Sequence, residues 1–128
     1  MTFAHAVVWL DHVAAQLHQF NAEQVVTQNV HAHVHPTAQH GSAVRSEHEF
    51  AGAVCNAIDG IGEVLVTGSH TALADFRRYA EKHRPLTAKR VAAYEVVGHP
   101  SDKQLVARGR EFFDQRNRQE QRKSPSGF

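Results

Sequence analysis

At 128 residues, with 41% hydrophobic and 21% charged side chains, the chain suits one domain around a single core and is too short for two ordinary ones. No apolar run approaches the ~20 residues of a membrane helix, so no span is expected. The lone Cys55 allows neither an internal disulfide nor a cysteine zinc cluster. The net charge of +1 conceals a division: residues 1–76 carry one basic residue, Arg45, against seven carboxylates, while residues 77–128 carry 13 Lys and Arg against six. Such a split suits a polyanion such as RNA, or else solvated helix faces followed by a basic tail. The opening "MTFAHAVVWLDH" has no basic leader before its apolar run and no small-residue cleavage site after it, so a cytoplasmic protein is expected.

In chain order, "HAVVWL" and "VAAQLHQF" are short β-branched and apolar runs separated by "DH", which predicts a hairpin. A third strand, "QVVTQNVHAHVH", alternates: Val26, Val30, Ala32 and Val34 share one side, with Gln28 as the exception, and Thr27, Asn29, His31, His33 and His35 the other. Pro36 ends it, and "PTAQHGSAVR" reads as an exposed loop. Ser46 and Glu49 fit a capping box ahead of a helix carrying Phe50, Val54, Ala57 and Ile58. "GEVLVTG" is a buried strand, and "SHTALADFRRYAEKHR" is a helix with Leu73, Phe76 and Ala80 inward, stopped by Pro85. "RVAAYEVVG" is the last strand, and Ser101 precedes a third helix with Leu105, Val106, Phe112 and Phe113. The final "QRNRQEQRKSPSGF" lacks apolar periodicity, which divides the chain into a domain at 1–116 and a basic, disordered tail at 117–128. The order β-β-β-α-β-α-β-α implies an α/β domain, a mixed five-stranded sheet covered on both faces in a ribonuclease H-like three-layer arrangement.

Three segments carry a resemblance. "AVVWLDHVAAQLHQF" resembles the opening hairpin of the middle domain of the eukaryotic and archaeal peptide-chain release factor and its relative Pelota, with an Asp ending the first strand. "HGSAVRSEHEF" is similar to the release-factor loop in which Gly-Gly-Gln precedes Ser-Ala, a variable residue and Arg, and "EVLVTGSHTALADFRRY" to the strand and helix that follow. Small bacterial proteins grouped with these factors as translational machinery components share the pattern. Matching Ser42, Ala43 and Arg45 to that loop puts Gln39, His40 and Gly41 where Gly-Gly-Gln would stand. The catalytic glutamine, which the resemblance implies would help position water at the ester, is therefore replaced by Gly41. Gln39 and His40 are the remaining candidates for hydrolysis.

Outside that loop, His31, His33 and His35 recur at about 6.6 Å along one strand face. That spacing admits a zinc ion, with His40 or His48 as a further ligand, or simply a polar face that charges as pH falls. Asp11, Glu63 and Asp75 are too scattered for a two-metal nuclease and read as turn and cap residues. Cys55 reads as a small buried hydrophobe. Ser69, in "GSH", reads as a cap at a helix start whose amides suit a phosphate. Arg77, Arg78, Lys82 and Arg84 lie opposite the inward face of their helix, with Lys89 and Arg90 beyond, and Arg45 joins them through the loop. They are the expected RNA contacts. Arg108, Arg110, Arg116, Arg118, Arg122 and Lys123 extend the charge toward the end of the chain.

The expected function is a non-enzymatic protein associated with the ribosome or a structured RNA, requiring no cofactor and no membrane. The alternatives are a peptidyl-tRNA or RNA hydrolase using the Gln39–Ser42 loop, and a zinc-binding or oligomeric adaptor.

Overall fold

The computed structural model describes residues 4–32 and 42–123, with side chains placed for 4–32 and 47–119. The elements are β1 (His5–Leu10), β2 (Ala14–Phe20), β3 (Val25–His31), α1 (Ser42–Ile58), β4 (Glu63–Gly68), α2 (His70–His83), α3 (Pro85–Arg90), β5 (Val91–Val96) and α4 (Asp102–Lys123). They form one mixed sheet in the order β3-β2-β1-β4-β5. β2 runs antiparallel to β1 and β3, while β1, β4 and β5 are parallel.

Both hairpins turn on the same device. The Asp11 carboxylate accepts the N–H groups of Val13 and Ala14 at 2.8 and 2.7 Å, and the Asn21 amide oxygen accepts those of Glu23 and Gln24 at 2.8 and 2.7 Å. A short side chain with an acceptor mimics a backbone turn in this way, which is why "DH" and "NAE" break the strands.

Alternation in the strands divides the core. Ala6, Val8 and Leu10 of β1, Leu17 of β2 and Val64 and Val66 of β4 meet Phe50, Val54 and Ile58 of α1 and Leu73, Phe76 and Ala80 of α2. On the other face Val7, Trp9, Phe20 and Leu65 meet Leu105 and Phe113 of α4. The result is three layers, with α4 alone on its side among the described helices.

α4 begins on a capping box: the Gln104 N–H donates to the Ser101 hydroxyl at 3.2 Å, and the Ser101 N–H to the Gln104 side chain at 2.9 Å. It crosses the sheet at Gly109, where an added Cβ would lie 3.0 Å from the Val7 Cβ and 3.1 Å from the Phe20 ring. Arg108 then donates twice to Glu95 of β5, both at 2.7 Å, and Arg116 to Glu63 of β4 at 3.0 Å. The bonds from Arg108 hold the Glu95 carboxyl below its usual range, against the opposing effect of burial.

Four boundaries differ from the sequence reading. α1 starts at Ser42, so Ser46 lies inside it and is not its N-cap. α2 stops at His83, just before Arg84 and Pro85, but Pro85 also opens a short helix, α3, because the first helical position needs no N–H. α4 continues to Lys123, past the boundary drawn at 116, while residues 124–128 lie outside the described part. β3 ends at His31 as an exposed edge strand, and His33, Val34 and His35 lie outside the described residues.

His18 is the polar residue buried between β2 and α4, 1% exposed. One ring nitrogen bonds the Thr27 hydroxyl at 2.9 Å, and the other faces the Asp102 carboxylate at 3.9 Å, too far for a hydrogen bond. Burial holds its pKa below the usual histidine value, and Asp102 acts the other way. The unfolded chain therefore takes up this proton first, so stability is full above about pH 6.5 and falls as pH drops below it. Urea unfolding of wild type and His18→Gln should show the gap between them narrowing from pH 8 to pH 5.5. A gap independent of pH would contradict this.

Gly68 has φ +153°, and a Cβ there would run into the Leu10 carbonyl oxygen. Gly68→Ala should cost at least about 2 kcal/mol in urea unfolding, since strained backbone and a steric clash add. Gly98→Ala, with open space around it, should cost far less.

Candidate functional site

The carboxyl ends of β1 and β4 lie side by side, Leu10 opposite Gly68. α2 starts directly after β4, with Ser69 as its N-cap accepting the Ala72 N–H at 3.4 Å. A cleft of about 250 Å³ opens at this rim between the β1–β2 turn, α1 and α2. Its floor is apolar, formed by the buried Leu10, Phe50 and Phe76.

At one end, His12 Nε2 lies 3.2 Å from the Thr71 hydroxyl, and its Nδ1 lies 3.9 Å from the Asp75 carboxylate. An activated nucleophile needs its base held in turn by a close third group. Here the second separation is too long and all three groups are open to water, so the arrangement ties the β1–β2 turn to α2. Asp75 also pairs with Arg78 at 3.6 Å.

At the other end three rings meet. Tyr79 and His83, four residues apart on one face of α2, have centroids 4.9 Å apart. His48 of α1 reaches them at 5.4 and 5.7 Å. Gly52, one turn beyond His48, makes room, since a Cβ there would sit 3.2 Å from the Tyr79 hydroxyl. Lys82 and Glu47 complete this end of the rim.

The expected RNA contacts separate into two groups. Arg84 donates to Asn56 and Asp59, both at 2.8 Å, and Arg90 to the Ile61 carbonyl at 2.7 Å, so both brace the turn between α1 and β4. Arg77 bonds Glu81 at 3.2 Å and stacks its guanidinium 5.3 Å from the Tyr94 ring centre. Arg78 and Lys82 stand at the cleft, and Lys89 is exposed on α3. Arg45 belongs to α1, but its side chain lies outside the described ones. Ser42 begins α1, while Gln39, His40 and Gly41 lie outside the described residues.

His31 is exposed on the edge strand, on the α4 side of the sheet with Thr27. Among the described residues no group of three or more His, Cys, Asp or Glu is placed to hold a metal ion. The zinc expectation also needs His33 and His35, which lie outside them. Asp11 is engaged in its turn, Glu63 in its pair with Arg116 at the opposite end of the sheet, and Asp75 in the cleft, so these carboxylates do not converge. Burial pushes the Cys55 thiol up to about 11, which leaves it protonated and unreactive at neutral pH.

The described residues thus form an open α/β domain whose cleft lies at the carboxyl ends of parallel strands, where such sheets commonly bind ligands. No protein-family model matches the sequence, and no curated protein matches it significantly. Solved structures do. Pelota from Archaeoglobus fulgidus aligns at TM-score 0.55 and 16% identity over 80% of this chain and 29% of its own. Thermoplasma acidophilum Pelota aligns at 0.57 and 16% over 80% and 30%. The archaeal translation termination factor aRF1 aligns at 0.57 and 12% over 79% and 32%. In fold the chain is a Pelota- and release-factor-like domain, and it spans about a third of the length of those proteins.

Because Arg84 and Arg90 are engaged within the fold, Arg84→Ala and Arg90→Ala should each lower stability by about 1 kcal/mol in urea unfolding. Arg78→Ala and Lys82→Ala should leave it within about 0.5 kcal/mol of wild type. The reverse pattern would show that the first pair is free for a partner.

Proposed function

We propose that the chain is a non-enzymatic protein of translation that associates with the ribosome or a structured RNA. The observation that carries this is the fold it has in common with a translation termination factor. The order β3-β2-β1-β4-β5, with β2 alone antiparallel, supports the finer assignment to the ribonuclease H-like arrangement. Gly41 at the glutamine position favours a binding role over ester hydrolysis. The exposed Arg78 and Lys82 supply cations for phosphate contact, each adding salt-dependent affinity without reading sequence. A cytoplasmic site of action, on stalled or resting ribosomes, belongs to the same proposal.

Purified protein should co-sediment with ribosomes, and binding should weaken as salt rises. Arg78→Glu combined with Lys82→Glu should reduce the slope of log affinity against log salt by about 2. Failure to co-sediment at low salt would overturn the ribosomal role.

A further inference from the structure

We infer that the cleft between α1 and α2 holds one unpaired nucleotide of RNA, its base stacked on the His48–Tyr79–His83 rings and its phosphate held by Arg78 and Lys82. This deepens the proposed association with RNA and rests on it.

Three aromatic side chains from two helices converge at the mouth of a cleft, where burial alone would favour the floor. The imidazoles of His48 and His83 are exposed, and Tyr79 between them is half-buried. An unpaired base offers two faces that stack on such rings, whereas the bases of a duplex are already stacked on each other. The cleft volume of about 250 Å³ lies just under the ~300 Å³ at which small-molecule pockets begin, which suits one nucleotide unit entering from outside. Its apolar floor of Leu10, Phe50 and Phe76 can take a base edge but not a hydrated phosphate.

The charges are arranged to match. Lys82 lies on the same stretch of α2 as Tyr79 and His83 and makes no ion pair among the described residues. Arg78 is 77% exposed, and its guanidinium, with five N–H donors, can reach a phosphate while keeping its 3.6 Å pair with Asp75. Two of the three lining carboxylates are engaged, Asp11 by backbone N–H groups and Asp75 by Arg78. The third, Glu47, is an acceptor on the rim that ribose hydroxyls or exocyclic amines can use and a bare phosphate cannot.

The test uses the full chain and a fluorescently labelled short single-stranded oligoribonucleotide, read by anisotropy, beside a duplex of the same sequence. The single strand should bind more tightly. Tyr79→Ala and His48→Ala should each weaken it about ten-fold, and Tyr79→Phe, which keeps the ring, should restore binding. Circular dichroism melts establish that each variant is folded, and the exposed His48 keeps the test usable if Tyr79→Ala is not. Equal affinity for duplex and single strand, unchanged affinity in both ring variants, or displacement by polyglutamate as effective as by unlabelled RNA would overturn the inference. The last result would point to an acidic protein partner. Ribosome co-sedimentation that survives such a failure leaves the proposed function standing without this site. Oligonucleotide binding through the rings without co-sedimentation would support the site and overturn the ribosomal role.

Discussion

The central strand β1 is the constraint on which everything else depends. Its residues from Ala6 to Leu10 are buried, alternating between the α1/α2 core and the α4 core. It pairs antiparallel with β2 through a tight hairpin and parallel with β4, and the second pairing demands a long crossover. The neighbours of β1 therefore run in opposite directions on its two sides, and the carboxyl ends of β1 and β4 lie together at one rim. Gly68 at that rim permits an approach to Leu10 that a side chain would forbid. The cleft is a consequence of this topology, and α1 and α2 only furnish it with side chains.

The same topology disposes of most of the charge. The acidic first part of the chain and the basic second part meet inside the fold: Arg116 bonds Glu63, and Arg84 bonds Asp59. Arg108 is taken by Glu95 and Glu111, and Arg110 donates to the Asn21 carbonyl while lying over the Phe20 ring. Much of the apparent attraction for polyanions is thus spent in joining α4 and α3 to the sheet. Among the described side chains, the exposed cations outside these contacts are Arg78 and Lys82 at the cleft, Lys89 on α3, and Lys103 and Arg118 on α4. A partner would be recognised through shape and stacking as much as through charge.

The strands were legible because burial on alternate faces imposes period two, and "HAVVWL" and "EVLVTG" are apolar on both faces, as central strands must be. The helices were legible where an apolar stripe faces the sheet. α3 was missed because Pro85 stops a helix and starts one equally well, and only the residues around it in space decide. The last turns of α4, residues 117–123, were missed because that stretch carries no apolar stripe. The cleft was the least visible feature. Its histidines, 12, 48 and 83, come from three distant segments, and the sequence offers only His48 a role, as a further zinc ligand. The one local signal was Tyr79 and His83 at helical spacing beside Lys82, and it gains meaning only when α1 brings His48 across.

The rim formed by the β1–β2 turn, α1 and α2 is the surface proposed to meet a partner. Hydrogen exchange of the full chain, alone and saturated with ribosomes, tests it most directly, because backbone amides report every face at once. The prediction is slowed exchange around residues 11–12, 47–51 and 70–83, with α4 unchanged. Slowed exchange confined to α4 and the β3 edge, with the rim unaffected, would contradict it.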